Sequence, residues 1–530
     1  MGRTRVFDDV VRALRTAEYC ESHQLPTREA LERLADGAPS RRRFLAMAGA
    51  AAAVASPLNA LARPFRPGPR IAIVGGGLSG LACADRLQAK GFEAVVYEAA
   101  ARLGGRCSSN RTLVPGMACE NGGEFIDTGH KRMLAYVNEF GLARESVVKQ
   151  AGEERFNFFG RLWDEADVVE QFRAVVANMR ADLKRISGAA TFYEKNDADI
   201  ELDHTDLATY FAARAAGLPL VEAVLNEAYL AEYGLETSQQ STLNFLGFMR
   251  LNRQSKFEPF GVSDERFHLV NGNDGIVAGL QGKLRGPVER GARLTRLAKA
   301  ADGQFLLHFN GSAVPERADA VVLAIPFTVL RTVDLDASLG LSADKRRAID
   351  TLGYGTNAKT MIAFTGRLWA TQYGASGTAY SDLTHHQTCW ETNRANAGAR
   401  AILTDYASGD RGASLGTAPA AVQAQVGAFL GDLEQTFPGV AATALRAGGD
   451  LVAHLEHWPS NPLSLGSYTC YTPGQFTTVA GLEGEAAGLL KFAGEHADAF
   501  YSWQGYMEGA CLAGLRAANE LLADIKAGRV

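Results

Sequence analysis

The sequence predicts an α/β fold, a discontinuous Rossmann-like domain interleaved with an α+β domain. Three observations carry that prediction. The apolar run Ile71-Ala72-Ile73-Val74 feeds into a turn with Gly75, Gly77 and Gly80, and a helical pattern follows. Strand, G-x-G-x-x-G turn and helix are the opening of a βαβ unit. Residues 151–265 then change to amphipathic helical patterns, and β-like runs return at 305–309 and 320–326. Finally, 530 residues are too many for one hydrophobic core, so two or more domains are expected.

Residues 1–62 read as a leader. Ser40-Arg41-Arg42-Arg43-Phe44-Leu45 precedes the soft apolar stretch AMAGAAAAVA, and A-x-A stands at 60–62. That order predicts a twin-arginine export signal cut after Ala62, with the twin-arginine translocase as partner and a periplasmic or secreted location. The alternative is an arginine-capped alanine helix in a cytoplasmic protein. The stretch is too short and too weakly apolar for a membrane span. About 39 residues precede the arginines, a long lead-in, and Val6, Val10, Val11 and Leu14 recur there at helical spacing.

A Pro-rich linker occupies 63–69. The dinucleotide-binding domain is expected from three segments, 70–150, 266–335 and 488–530, and the second domain from 151–265 and 336–487. In the first of these inserts, Val168, Val169, Phe172, Val175, Val176 and Met179 share one face of a helix over 165–186. Further expected elements are a helix near 78–90, strands at 93–97, 358–365 and 401–405, and a last helix at 505–525.

Several function classes drop out early. A formal charge of -5 without a Lys/Arg stripe argues against nucleic acid. Seven scattered cysteines form no C-x-x-C pair, and ten histidines lack ligand spacing, so no metal is expected. No G-x-S-x-G nucleophile elbow stands out.

Which dinucleotide binds is read from the residues after the turn. Glu98 ends the second strand 18 residues past Gly80, placed to accept from a ribose 2′-hydroxyl and to repel a 2′-phosphate. It opens the pattern E-x-x-x-R-x-G-G-R, with Arg102, Gly104, Gly105 and Arg106. A second glycine turn with two arginines suits the extended pyrophosphate of FAD.

These residues resemble the flavin-containing amine oxidase family, and the resemblance runs from about 70 to 525. Glu120-Asn121-Gly122-Gly123-Glu124-Phe125 is similar to the family segment beside the flavin ring, and 270–275 to its G-G-N-D turn. The stretch 291–296, with Leu294, resembles the strand that meets adenine. Phe492-Ala493-Gly494-Glu495 and Trp503-Gln504-Gly505-Tyr506-Met507-Glu508-Gly509-Ala510 match the family's C-terminal motifs. The resemblance implies that Glu495 bonds the ribityl chain and that the Met507 N–H meets the flavin's pyrimidine end. It also implies an aromatic cage from Tyr468 and Tyr506, and a water held near flavin N5 by Lys359. Ser467 stands where animal monoamine oxidases carry the cysteine that attaches FAD, which implies non-covalent FAD.

The implied activity is oxidation of an amine C–N bond to an imine, with electrons passed to O2 or another acceptor. An L-amino-acid oxidase is the main alternative. Phe125 stands where those enzymes carry a carboxylate-binding arginine, although Arg250 or Arg253 could serve instead. A polyamine substrate stays open through Asp127, Glu227 and Glu232. A flavin electron carrier without amine turnover, and a homodimer, are open as well.

Overall fold

The computed structural model describes residues 13, 14, 16, 17, 20, 26–28, 68–147, 152–250, 265–396, 398–498 and 503–530. The arginine–alanine stretch, the cleavage point after Ala62 and Arg253 lie outside the described residues.

Five parallel strands form the first sheet, in the order Leu490–Phe492, Ala320–Leu323, Ile71–Val74, Ala94–Glu98 and Val288–Arg290. Strands from three distant stretches of chain therefore share one sheet. Its central strands are apolar on both faces because both faces are covered. Ile71, Ile73 and Val96 pack against Leu87, Ala517 and Leu521, while Ala72, Val74 and Leu323 join a cluster with Leu294 and Phe305. The run expected over 320–326 leaves the sheet after Leu323. Pro326, which has no N–H to give a ladder, caps the short helix Phe327–Leu330. The edge strand Val288–Arg290 has no sequence counterpart above, being three residues long and half-exposed.

The turn between Ile71–Val74 and the helix Leu78–Ala89 works only with glycine at two positions. Gly75 has φ +109°, and a Cβ there would lie 2.5 Å from the Ala324 carbonyl oxygen. A Cβ on Gly80 would lie 1.9 Å from the Gly75 carbonyl oxygen, so the helix folds back directly onto the turn.

A seven-stranded mixed sheet builds the second domain, in the order Ala453–His457, Ala358–Phe364, Ala401–Ala407, Thr388–Glu391, Ala375–Ser381, Glu153–Phe158 and Arg161–Trp163. The last two strands open the otherwise helical stretch expected over 151–265 and were not placed by its sequence pattern. Glu153-Glu-Arg-Phe-Asn-Phe158 looks polar, yet Phe156 and Phe158 alternate inward and are 1% exposed. Two inward residues are too few to declare a strand by periodicity alone.

Helices then cover this sheet. Glu165–Arg185 begins where the Asp164 side chain accepts the Asp167 N–H. Its apolar face meets Leu207–Arg214, Pro219–Tyr233 and Leu243–Arg250 around Phe172, Phe211, Tyr229 and Phe245. Ala13, Leu14 and Ala17, from within the expected leader, belong to the same cluster. No helix among the described residues is long and apolar enough to cross a membrane.

Candidate active site

One cavity of about 330 Å³ extends from the glycine turn to the seven-stranded sheet. The expected flavin-binding, lysine and aromatic residues all border it except Gly80, which lies in the first turn of the helix Leu78–Ala89 against the Gly75 carbonyl. Chain segments more than 400 residues apart, from Gly75 to Met507, thus meet at one surface.

At the nucleotide end, the Glu98 carboxylate accepts the Gly76 N–H at 2.8 Å and the Ala100 N–H at 2.7 Å. Each oxygen keeps lone-pair capacity for a hydroxyl donor. Arg102 donates to the Gly105 carbonyl at 2.9 Å and so shapes the second glycine turn. Gly77 and Gly105 present bare backbone to each other: a Cβ on Gly105 would lie 3.6 Å from the Gly77 Cα. Arg106 reaches across the domain instead of standing free. Its Nη1 donates to Glu495 Oε1 at 2.9 Å and to the Ser467 carbonyl at 2.7 Å, while Thr469 Oγ1 donates to the same carboxylate.

Nearer the C-terminus, Tyr506 caps and Met507 begins the helix Met507–Lys526. Met507 lies against Gly123, where a Cβ would be 2.8 Å from its sulfur. Glu508 serves the fold. Its carboxylate accepts the N–H groups of Arg132 and Met133, both at 2.8 Å, at the start of the helix Lys131–Glu139.

At the other end, the strand Ala358–Phe364 is buried along its whole length and carries Lys359 toward the segment 120–124. The ammonium donates to Glu124 Oε2 at 2.7 Å, to the Gly122 carbonyl at 2.8 Å and, longer, to the Glu120 carbonyl at 3.4 Å. An ammonium has three N–H donors, and each has a protein acceptor here. That differs from a lysine whose donors are open to a water. Glu124 is held in turn by the Trp390 indole N–H at 2.9 Å and by the Thr392 hydroxyl. Lys359 and Glu124 side chains are 6% and 3% exposed, so the pair is out of bulk water.

Aromatic rings finish this end. The Tyr406 and Tyr468 hydroxyls are 3.0 Å apart, and the Trp390 and Tyr406 rings meet edge-on at 5.1 Å. Tyr506 packs on another wall, against His130 and Trp503 with centroids at 5.4 and 5.6 Å. Burial pushes the His130 imidazole down to about 3, so this contact is one of neutral rings. Tyr406 and Trp390 were not foreseen. Tyr406 lies one residue beyond the strand expected at 401–405, and Trp390 sits in a four-residue strand without alternation.

The polar groups at this end are mainly acidic. Asp127 and Glu265 border the cavity, and Asp127 Oδ1 accepts the Glu265 N–H at 2.9 Å. Glu227 and Glu232 do not border it. Glu227 accepts from the Thr388 hydroxyl at 2.9 Å beside a separate cavity. The Arg250 side chain, like Arg253, lies outside the described residues.

Behind the glycine segment, His268 Nε2 lies 3.1 Å from Glu120 Oε1 and Nδ1 lies 3.6 Å from Glu145. Burial pushes this histidine down, but the hydrogen bond to Glu120 and the nearby Glu145 carboxylate outweigh that and raise it to about 9. The folded value exceeds the unfolded one of about 6.5, so the stabilisation is full below about pH 6.5 and lost as pH rises through 9, on the order of 3 kcal/mol. Urea unfolding at pH 6 and pH 9.5 is expected to show that loss in the wild type and a smaller one in His268→Gln. Equal losses would remove His268 as its source.

A family model described as flavin containing amine oxidoreductase matches residues 78–522. The chain belongs to that family. Sequence relatives of this amine oxidoreductase include the flavin-dependent L-tryptophan oxidase of Lentzea aerocolonigenes, 27% identical over 481 residues, covering 84% of this chain and 97% of the relative. An L-amino-acid oxidase of Siganus canaliculatus is 22% identical over 467 residues, with 85% of each chain covered. Among solved structures, cyclohexylamine oxidase from Brevibacterium oxydans superposes with TM-score 0.73 at 18% identity, over 87% of this chain and all of that one. A putrescine oxidase bound to putrescine gives 0.71 at 18%, over 86% and 99%. At these identities the structural likeness establishes the fold.

The amine oxidoreductase has the features a flavin needs. Bare backbone at Gly77 and Gly105 leaves room for a pyrophosphate, Glu98 keeps acceptor capacity for ribose, and the Met507 helix start faces the Gly123 segment.

Proposed function

We propose that this protein oxidises a primary or secondary amine to an imine with non-covalently bound FAD, after export to the periplasm or beyond. The observation that carries the substrate class is the character of the cavity end beyond the flavin segment. Tyr406, Tyr468, Trp390 and Tyr506 wall it, the carboxylates of Glu124, Asp127 and Glu265 border it, and its one described cation is the already paired Lys359. Of the arginines among the described lining residues, Arg102 bonds the second glycine turn, Arg293 adjoins Leu294, and Arg106 is already paired with Glu495. Such a surface suits a cationic or neutral amine better than a carboxylate.

The FAD, when bound, supplies the two-electron acceptor for the C–H bond next to nitrogen, and the resulting imine hydrolyses to a carbonyl compound and an amine or ammonia. The chain's part is to hold, orient and dry the amine. Glu124 has three of about four lone-pair directions taken by Lys359, Trp390 and Thr392. The remaining one accepts an N–H of the substrate and fixes which C–H faces the ring. Tyr468 and Tyr406, joined through their hydroxyls, hold the alkyl group from one side and Tyr506 from another. Lys359 acts through Glu124: it balances the carboxylate's charge and fixes its rotamer, in place of the N5 water that the family resemblance implies.

Ser467 supports the non-covalent linkage, since its hydroxyl donates to Asn357 Oδ1 at 2.5 Å and a hydroxyl cannot form the thioether. Acid precipitation is expected to release all flavin into the supernatant, and yellow precipitate would contradict it. Anaerobic mixing of the holoenzyme with amines and with L-amino acids tests the substrate class. Flavin bleaching by amines is the expected result. The amino-acid relatives make a second outcome specific: bleaching by amino acids alone would move the activity to that class. No bleaching by either would mean an electron carrier.

A further inference from the structure

The expected leader contains a piece of the folded core. Ala13 and Leu14 are 1% exposed, Thr16 1%, and Ala17 and Cys20 0%, all in helical conformation. Positions 13, 16, 17 and 20 follow the three- and four-residue steps of one helix face. That face joins the apolar cluster of the Glu165–Arg185 helix, with Phe172, Val169 and Val176. Farther along, the buried Thr27 hydroxyl bonds the Glu170 carboxylate and accepts from Arg173 Nη1 at 3.2 Å. On the 100°-per-residue wheel of that helix, Glu170 and Arg173 flank the edge that carries Val169 and Val176. Ala13, Leu14 and Ala17 thus share an apolar cluster with this helix, and Thr27 bonds two of its polar side chains.

These residues precede both the arginine run at 41–43 and the cleavage point expected after Ala62. A cut there breaks the covalent link while leaving the docked face buried. We propose that Ala13, Leu14, Ala17 and Thr27 are the anchors of a docking strap on the Glu165–Arg185 helix, and that they hold their part of the chain on the folded protein as a non-covalent fragment once the chain between residues 28 and 70 is cut. The proposal concerns the fold and is independent of which substrate the active site takes.

Cys20 supplies a reporter, because all seven cysteines are buried and it is the one in the strap. A protease site is inserted between residues 45 and 55 of the full chain and cut after folding. The strap fragment is expected to co-elute with the body in size exclusion, and Cys20 to stay unalkylated by iodoacetamide, as in the uncut chain. A fragment that elutes alone, or a Cys20 alkylated as fast as in urea, overturns the proposal. A second variant, Leu14→Asp in the uncut chain, is expected to raise Cys20 alkylation roughly 100-fold by favouring local opening, with the other six cysteines still protected. Its Tm is expected to fall by roughly 2–6 °C. Unchanged alkylation and Tm would equally overturn the strap.

Discussion

Lys359→Met is expected to cost about 3–5 kcal/mol of stability and to lower kcat/KM by roughly 100-fold or more. The substitution keeps the length of the side chain and removes the cation. Glu124 is then left buried with a carboxylate held only by Trp390 and Thr392, and the Gly122 carbonyl loses its donor. Removing one partner of a buried ion pair is far more damaging than removing both. The double variant Lys359→Met/Glu124→Leu is therefore expected to recover most of the lost stability and none of the activity, because the amine loses its acceptor. Urea unfolding of both singles and the double, with kcat/KM for the same proteins, completes the cycle. Additive stability losses would mean that the two side chains do not act as a unit.

Gly80→Ala should leave a folded protein that purifies with little flavin. The added Cβ would meet the Gly75 carbonyl oxygen at 1.9 Å, and both are backbone, so no side chain can swing aside. Helix and turn must separate, which costs about 1–3 kcal/mol and moves Gly75 and Gly77 away from each other's positions at the cavity. Gly105→Ala makes a useful contrast. Its new Cβ would meet only the Gly77 Cα at 3.6 Å, so the turn keeps its shape, but the methyl fills the cleft and φ +55° adds strain of about 1 kcal/mol. Both variants are expected to show a reduced flavin-to-protein absorbance ratio with unchanged far-ultraviolet circular dichroism. Full flavin content in Gly80→Ala would show that the close approach is not required.

The nucleotide end was legible because its chemistry is local. Gly75, Gly77, Gly80 and Glu98 act within one βαβ unit, and sequence spacing reports their placement. The terminal motifs with Glu495 and Met507 were legible through family resemblance, since nothing local ties them to residue 75. The substrate end was only half visible. Lys359 stands out as a lysine on an apolar strand, but its partner is 235 positions away, and a Glu beside two glycines gives no hint of being clamped. Tyr406 and Trp390 hide in strands buried on both faces, where alternation disappears. The 153–158 strand failed for the opposite reason, a polar surface with two inward phenylalanines. Motifs mark the groups that line the cavity; the groups that hold them in place come from tertiary pairing.

The threading of three chain segments through one parallel sheet also sets an order of events during synthesis. Ala320–Leu323 has Ile71–Val74 as one neighbour and Leu490–Phe492 as the other. The helix Leu78–Ala89 packs against Met507–Lys526 through Gly514, where a Cβ would lie 2.1 Å from the Ser79 carbonyl oxygen. The strand Ile71–Val74 and the helix Leu78–Ala89 are thus made before Leu490–Phe492 and Met507–Lys526, which complete their packing, with about 400 residues of intervening chain. Contact order this high slows folding and prolongs exposure of unpaired sheet edges. Glu495 and the Met507 helix start border the same cavity as Gly75 and Gly77, so that cavity closes only after the chain has been made about 400 residues past the glycine turn.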